Sequence, residues 1–299
     1  MTDIIISVIM PIIVIAGLGA LVDYLKPIET SGLSRVVIYL LSPALAFSAL
    51  ANATISGQEI ISLMVGFWLA SILITVVGWG LCVLFRLDRL TTSAVLLSVS
   101  LMNIGNYGIP FNELAFGQAG LERALLITVA AGLWVYTGGT FIASWGRAPV
   151  RESIKNVFLM PTPYAALLGF AVNVDYLPAV DVVMTFTDIL GSAAVPLMLV
   201  ILGIQVGRVT QQGRYGLIVS VSILRLIGGA VSGFLVVSLM GLEGLTAQVL
   251  ITETAMPTAV IATLLATEFH SDAELTSGIT LVSTVLSIIT LSGLLVLMR

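Results

Sequence analysis

Apolar runs long enough to cross a lipid bilayer follow one another along this sequence with almost nothing between them. Ten can be marked, at about 4–25, 32–50, 60–85, 91–117, 120–145, 153–174, 182–206, 214–240, 245–268 and 273–298, joined by connections of about ten residues at most. Bilayer hydrocarbon offers a backbone amide no partner, so each run must satisfy its own. The sequence therefore predicts an all-α membrane protein of ten transmembrane helices with no soluble domain. Composition agrees, since 58% of the 299 residues are hydrophobic and 9% charged, too few charges to cover a soluble surface. The first run follows Asp3 and not a basic region, and at about 22 residues it reads as a retained span, not a secretory signal.

Basic residues set an orientation. The connections after odd-numbered runs hold Lys26, Arg35, Arg86, Arg89, Arg147, Arg151, Lys155, Arg208 and Arg214, whereas the opposite side holds Arg123 and Arg299. Nine against two puts the first set in the cytoplasm and both termini outside. The pI near 4.9 reflects acidic loops and points away from nucleic acid. Cys82 is the single cysteine, so no intramolecular disulfide is available.

Prolines mark a repeat. Pro11 and Pro161 are 150 apart, Pro43 and Pro196 are 153 apart, and Pro110 and Pro257 are 147 apart. The pairs fall in runs 1 and 6, 2 and 7, and 4 and 9, which suggests halves of five spans at 1–150 and 151–299. Five is odd, so the second half enters the membrane from the other side, giving two inverted five-helix repeats of the kind found in secondary transporters.

Two runs carry the candidate site. Asn103-Ile104-Gly105-Asn106-Tyr107-Gly108-Ile109-Pro110 lies midway along the fourth, and Glu253-Thr254-Ala255-Met256-Pro257-Thr258 midway along the ninth. Each proline lacks an amide hydrogen, so both runs are expected to be broken helices that meet near the midplane. In this reading Pro110 opens a new half-helix after irregular backbone at Gly105 and Gly108, and Pro257 does the same in the ninth run. Aligning the two prolines sets Glu253 opposite Asn106. Converging helix N-termini would favour a carboxylate, and the carbonyl ends a cation.

Several residues keep two readings. Glu253 either binds a coupling sodium ion or proton, or is protonated or hydrogen-bonded to the broken backbone as a structural group. Arg225, about eleven residues and roughly 16 Å into the eighth run, either binds substrate, pairs with Glu253 or Asp188, or reaches back to the interface. Glu113 reads as a first-turn acid stabilised by a helix N-terminus, with a pore-facing role as the alternative. Ser42 either faces substrate or bends its helix beside Pro43. His270 lies in an acidic, solvated loop.

No nucleophile set, Cys/His metal cluster or phosphate loop is present, so an enzyme is not expected. The Asn-x-x-Asn-x-x-x-Pro pattern at Asn103, Asn106 and Pro110, the stretch Ala255-Met256-Pro257-Thr258-Ala259, and Arg225-Leu226 resemble the auxin efflux carrier family in its bacterial form, a relative of the bile acid sodium symporters. The resemblance spans the chain, though it lacks the long cytoplasmic loop of plant members and has Gly228 and Gly229 where a proline is expected. It implies crossed broken helices 4 and 9 in a transport domain of helices 3–5 and 8–10, working against a scaffold of helices 1, 2, 6 and 7 that can also form a homodimer. It implies transport of carboxylates such as malate, malonate or indole-acetate across a bacterial plasma membrane. Asn103, Asn106, Tyr107, Pro110, Pro257 and Thr258 are then the substrate-binding set, with Arg225 and Ser42 as further candidates and a sodium ion held at Glu253. Beyond substrate, lipids and a second copy, no partner or cofactor is expected. The alternatives are a cation–proton antiporter of the same architecture and a membrane sensor that binds its ligand without moving it.

Overall fold

A computed structural model of the chain describes residues 5–53, 55–144, 160–208 and 213–298. Arg147, Arg151, Lys155 and Arg299 of the charge count, and the start of the sixth run, lie outside these residues. The described residues are helical and form no strand. In order they are α1 (Ile6–Leu25), α2 (Thr30–Ala51), α3 (Gly57–Leu84), α4 (Arg89–Ser100), α5 (Ile104–Ser144), α6 (Pro161–Asn173), α7 (Asp181–Gly207), α8 (Tyr215–Met240), α9 (Gly244–Thr254), α10 (Val260–Glu268) and α11 (Ala273–Leu297).

Seven of these (α1, α2, α3, α5, α7, α8 and α11) are each long and apolar enough to cross a membrane. The difference from ten runs has local causes. The fourth and ninth runs break into shorter pieces, α5 covers parts of two runs, and the described helix of the sixth run, α6, has 13 residues. Gly117 turns α5 sharply with φ 67 and ψ −158, a conformation that a side chain would strain, and so divides it into arms 104–116 and 118–144.

Helix starts follow the sequence. Ser56 caps α3 by accepting from the Glu59 amide at 3.2 Å, with Glu59 in the capping-box position. Asp88 caps α4 by accepting from the amides of Leu90 and Thr91 at 3.0 and 3.1 Å. The Thr91 hydroxyl adds a bond, and these contacts hold the Asp88 carboxyl below the usual carboxylate range. Asp272 caps α11 in the same way.

Three of the prolines inside helices are preceded by a five-residue π turn: Ile5–Ile9 before Pro11, Val37–Leu41 before Pro43, and Ile104–Gly108 before Pro110. A proline ring collides with the carbonyl four residues back in an α-helix, and here that carbonyl falls in the widened turn each time.

Close packing is set by glycines. A Cβ at Gly19 of α1 would overlap the Val200 carbonyl of α7, and a Cβ at Gly169 of α6 would overlap the Phe47 carbonyl of α2. α1, α2, α6 and α7 thus pack on one another, while α3, α4, α5 and α8 to α11 form their own set of contacts. Outward faces carry large exposed apolar groups such as Leu18, Leu167, Leu239 and Ile289, as lipid contact requires. Serine and threonine hydroxyls inside the helices are spent on carbonyls one turn back, as at Ser98, Thr128 and Thr137.

Ionic contacts sort by end of the helices. At one end Arg123 pairs with Glu59 at 2.7 Å and donates to Thr246. At the other, Arg208 pairs with Asp23 at 2.5 Å and Arg214 with Asp272.

Candidate functional site: two interrupted helices

The chain leaves helical geometry at Leu101 (φ −105, ψ 103) after α4, and again at Ala255 to Ala259 after α9. The two interruptions meet. The Asn103 amide donates to the Pro257 carbonyl and the Ala259 amide donates to the Leu101 carbonyl, both at 2.8 Å, forming an antiparallel bridge between Met102 and Thr258. Pro257 fits because the bridge uses its carbonyl and asks nothing of its missing amide. Thr258 is fully buried, with its hydroxyl on the Ser98 carbonyl at 2.8 Å and its amide on Ser283.

This geometry corrects the proline alignment. Asn103 pairs with Pro257 and Leu101 with Ala259, so Pro110 lies beyond the pairing and not across from Pro257, and Glu253 meets Gly108 and Asn112 in place of Asn106. The new helix begins at Ile104, and Pro110 lies inside it behind the π turn. Gly105 and Gly108 are helical here, not irregular. Glu113 is therefore past the first turn, beyond reach of the N-terminal amides it was expected to complement.

A cavity of about 330 Å³ lies against the bridge. It is lined by the starts of both new helices, Asn103 to Asn106 and Ala259 to Ile261, together with Ser34, Thr128 and Gln205. First-turn amides have no acceptor within their own helix and carry the positive end of its dipole, so two such ends face one space. The Asn103 side chain is buried and its Nδ2 has no hydrogen-bond partner. Asn106 Nδ2 reaches Gln205 Oε1 at 3.5 Å, a contact long enough to open for a ligand. An adjoining cavity of about 210 Å³ shares Asn106 and Thr128 and extends to Ser42 and Tyr136. The side chains lining both are uncharged.

The other candidates stand behind this space. Tyr107 is buried, accepts from Ser287 Oγ at 3.3 Å and meets Phe111 edge to face; it lines a separate apolar cavity between α1, α7 and α11. Pro110 and Pro257 are buried and line neither cavity at the break.

Glu253 is fully buried in the last turn of α9. Its Oε1 accepts from Asn112 Nδ2 at 2.8 Å, while Oε2 has no partner and lies against Gly108, where a Cβ would collide with it. Asn112 also donates to the Gly108 carbonyl at 2.9 Å and accepts from the Thr252 hydroxyl at 2.8 Å. A sodium ion needs several oxygens, and this cluster turns one free carboxylate oxygen and one amide NH2 toward the position. The donor set suits a proton better than sodium. Among the described residues no group of three acidic, histidine or cysteine side chains could hold a metal ion.

Arg225 is fully buried and touches neither Glu253 nor Asp188 by an ion pair. Its two terminal nitrogens donate to the carbonyls of Val99 and Thr254, and Asp188 accepts from Ser48 instead. Carbonyls near helix C-termini lack helical partners, which is why they outcompete a distant carboxylate. Asn112, Thr252 and Gln205 are site residues that sequence reasoning missed. Asn112 left a signal, being an amide in an apolar run two residues past Pro110, whereas Gln205 near the end of a run looks like an interface residue.

Comparison with known proteins bears on this arrangement. Residues 4–295 match a family described as membrane transport protein. The chain belongs to that family, the auxin efflux carriers. It is 27% identical over 287 residues to an uncharacterized transporter of Methanothermobacter thermautotrophicus, covering 95% of each chain. It is 23% identical over 298 residues to an uncharacterized transporter of Methanocaldococcus jannaschii, covering 96% of each. The protein is thus an integral, multi-pass membrane transporter and not an enzyme.

Proposed function

We propose that the protein is a secondary transporter of small organic anions that works by alternating access at the crossing of the fourth and ninth spans. The observation that carries this reading is the cavity beside the Met102–Thr258 bridge, where two helix N-termini and an unpartnered asparagine amide converge among uncharged side chains. A carboxylate finds hydrogen-bond donors there without a fixed anion to repel it. The malate, malonate and auxin classes of substrate are the ones this reading tests first.

The architecture in this reading is ten spans in two inverted repeats, 1–150 and 151–299. Equivalent contacts support it. Gly19 lies eight residues after Pro11 and meets Val200, four after Pro196; Gly169 lies eight after Pro161 and meets Phe47, four after Pro43. The first, second, sixth and seventh spans form the scaffold, which is also the proposed dimer surface, and the remaining spans form the moving unit. Both termini lie outside a bacterial plasma membrane. The cavity reaches Ser34, Gln205 and Leu264, near the helix ends where Arg208 and Arg214 pair, so it opens toward the proposed cytoplasmic side. Glu253 is the coupling group in this reading, its single free oxygen suiting a proton better than sodium.

The test is flux in proteoliposomes. Asn106→Leu is expected to lower carboxylate flux at least about ten-fold in folded protein, the scale of a lost charge-assisted hydrogen bond. Unchanged flux sinks the assignment. One rival, a cation–proton antiporter, would ordinarily use a pair of buried acids where this site offers Glu253 alone, and a pH-sensitive dye would expose it as proton movement on adding sodium with no carboxylate present.

A further inference from the structure

Next to the bridge, and outside the lining of the cavity, Arg225 joins the carbonyl ends of α4 and α9. Val99 is two residues before Leu101 and Thr254 three before Pro257, so both carbonyls sit at the edge of an interruption. Two C-terminal helix ends carry partial negative charge and repel each other, and a cation between them removes the conflict. Arginine suits the position because its fork offers separate donors to two helices, whereas a lysine ammonium is a single point.

The surroundings are shaped for this contact. Arg225 lies in a π turn, Leu224–Gly228, and one turn on a Cβ at Gly229 would collide with both Arg225 Nη2 and the Thr254 carbonyl. A turn further, a Cβ at Gly233 would collide with Thr254 Oγ1. The pair Gly229 and Gly233 thus seats α8 on the end of α9. Arg225 Nε has no hydrogen-bond partner, so the two carbonyls are its polar anchors. Arg225 lines neither cavity at the break.

We infer that Arg225 is a positioning residue for the transport site: it clamps the ends of α4 and α9 and thereby fixes where the amide ends at Ile104 and Val260 point. This rests on the transporter reading above. It assigns the buried arginine to the geometry of the pocket and removes it from direct substrate contact.

The experiment compares wild type, Arg225→Ala, Arg225→Lys and Gly229→Ala in proteoliposomes, with a carboxylate panel and with guanidinium chloride added at millimolar concentration. Arg225→Ala is expected to raise KM and lower flux about ten-fold, with both recovering on adding guanidinium, which refills the clamp. Arg225→Lys should fall between it and wild type. Gly229→Ala should show the same loss without rescue, because its arginine is still present. Wild-type kinetics in Arg225→Lys, or a loss in Arg225→Ala that guanidinium does not reverse, overturns the inference.

A second measurement needs no transport and covers an Arg225→Ala that fails to fold. Hydrogen–deuterium exchange of Arg225→Lys should rise in 101–106 and 255–261 while α11 stays protected. Unchanged exchange in those segments overturns the inference. Absence of carboxylate flux in wild type overturns the transporter reading instead, and leaves the exchange result to decide the clamp.

Discussion

The free carboxylate oxygen of Glu253 rests against the α-carbon of Gly108, in the space a side chain there would take. Gly108 has ordinary helical angles, φ −64 and ψ −48, so glycine is required by this approach and not by backbone conformation. Gly108→Ala should therefore displace Glu253 and cost about 1–3 kcal/mol, the usual range for overpacking. Thermal unfolding in detergent measures it, and a midpoint equal to wild type would show that the carboxylate sits elsewhere.

Asn112 is the hydrogen-bond partner of that carboxylate. Asn112→Leu strips it and should destabilise the fold by roughly 1–3 kcal/mol, while Glu253→Gln keeps an acceptor and should cost less. The comparison is again made by thermal unfolding. The opposite order would mean that the charge itself, and not its hydrogen bond, holds the cluster.

Gln205 touches Asn106 across the cavity at 3.5 Å. Gln205→Leu removes a polar group that faces substrate in the proposed site and should weaken apparent carboxylate affinity about ten-fold with little change in unfolding temperature. A concentration series of counterflow reads this directly.

The repeat can be tested by symmetry. Gly19→Val and Gly169→Val each force a side chain into a neighbouring carbonyl, and if the halves are equivalent the two should destabilise to similar extents, each by about 1–3 kcal/mol. One tolerated and one disruptive substitution would count against the equivalence.

Asp88→Ala removes the cap of α4 and should cost about 1 kcal/mol near neutral pH. Because hydrogen bonds, first that from the Thr91 hydroxyl, depress the folded pKa, the cap is intact above the ordinary carboxylate value and is lost as pH falls through the lower folded value. The gap between wild type and variant should accordingly close below about pH 4. A gap that persists there would assign the effect to packing.

The apolar runs made the helical class legible, because no side chain can replace a missing backbone partner in lipid. Proline and asparagine also flagged the two interruptions, yet the fourth run breaks at Leu101 to Asn103, about two turns before Pro110. The signal misled because a π turn ahead of a proline absorbs the clash that would break an α-helix, and nothing in Ile104 to Gly108 announces a π turn. Arg225 was visible as costly, but its partners are carbonyls, and main-chain acceptors leave no mark in a sequence. Gln205 and Asn112 became site residues only through contacts 99 and 141 positions away.

The hydrogen bonds joining Leu101 with Ala259 and Asn103 with Pro257 belong wholly to the main chain. Short of placing a proline at Asn103 or Ala259, exchanging side chains on either segment therefore leaves both bonds in place. Selection is left free to rewrite the neighbouring pocket, one amide or methyl group after another, for a new cargo without first having to reinvent the joint that holds the pocket open.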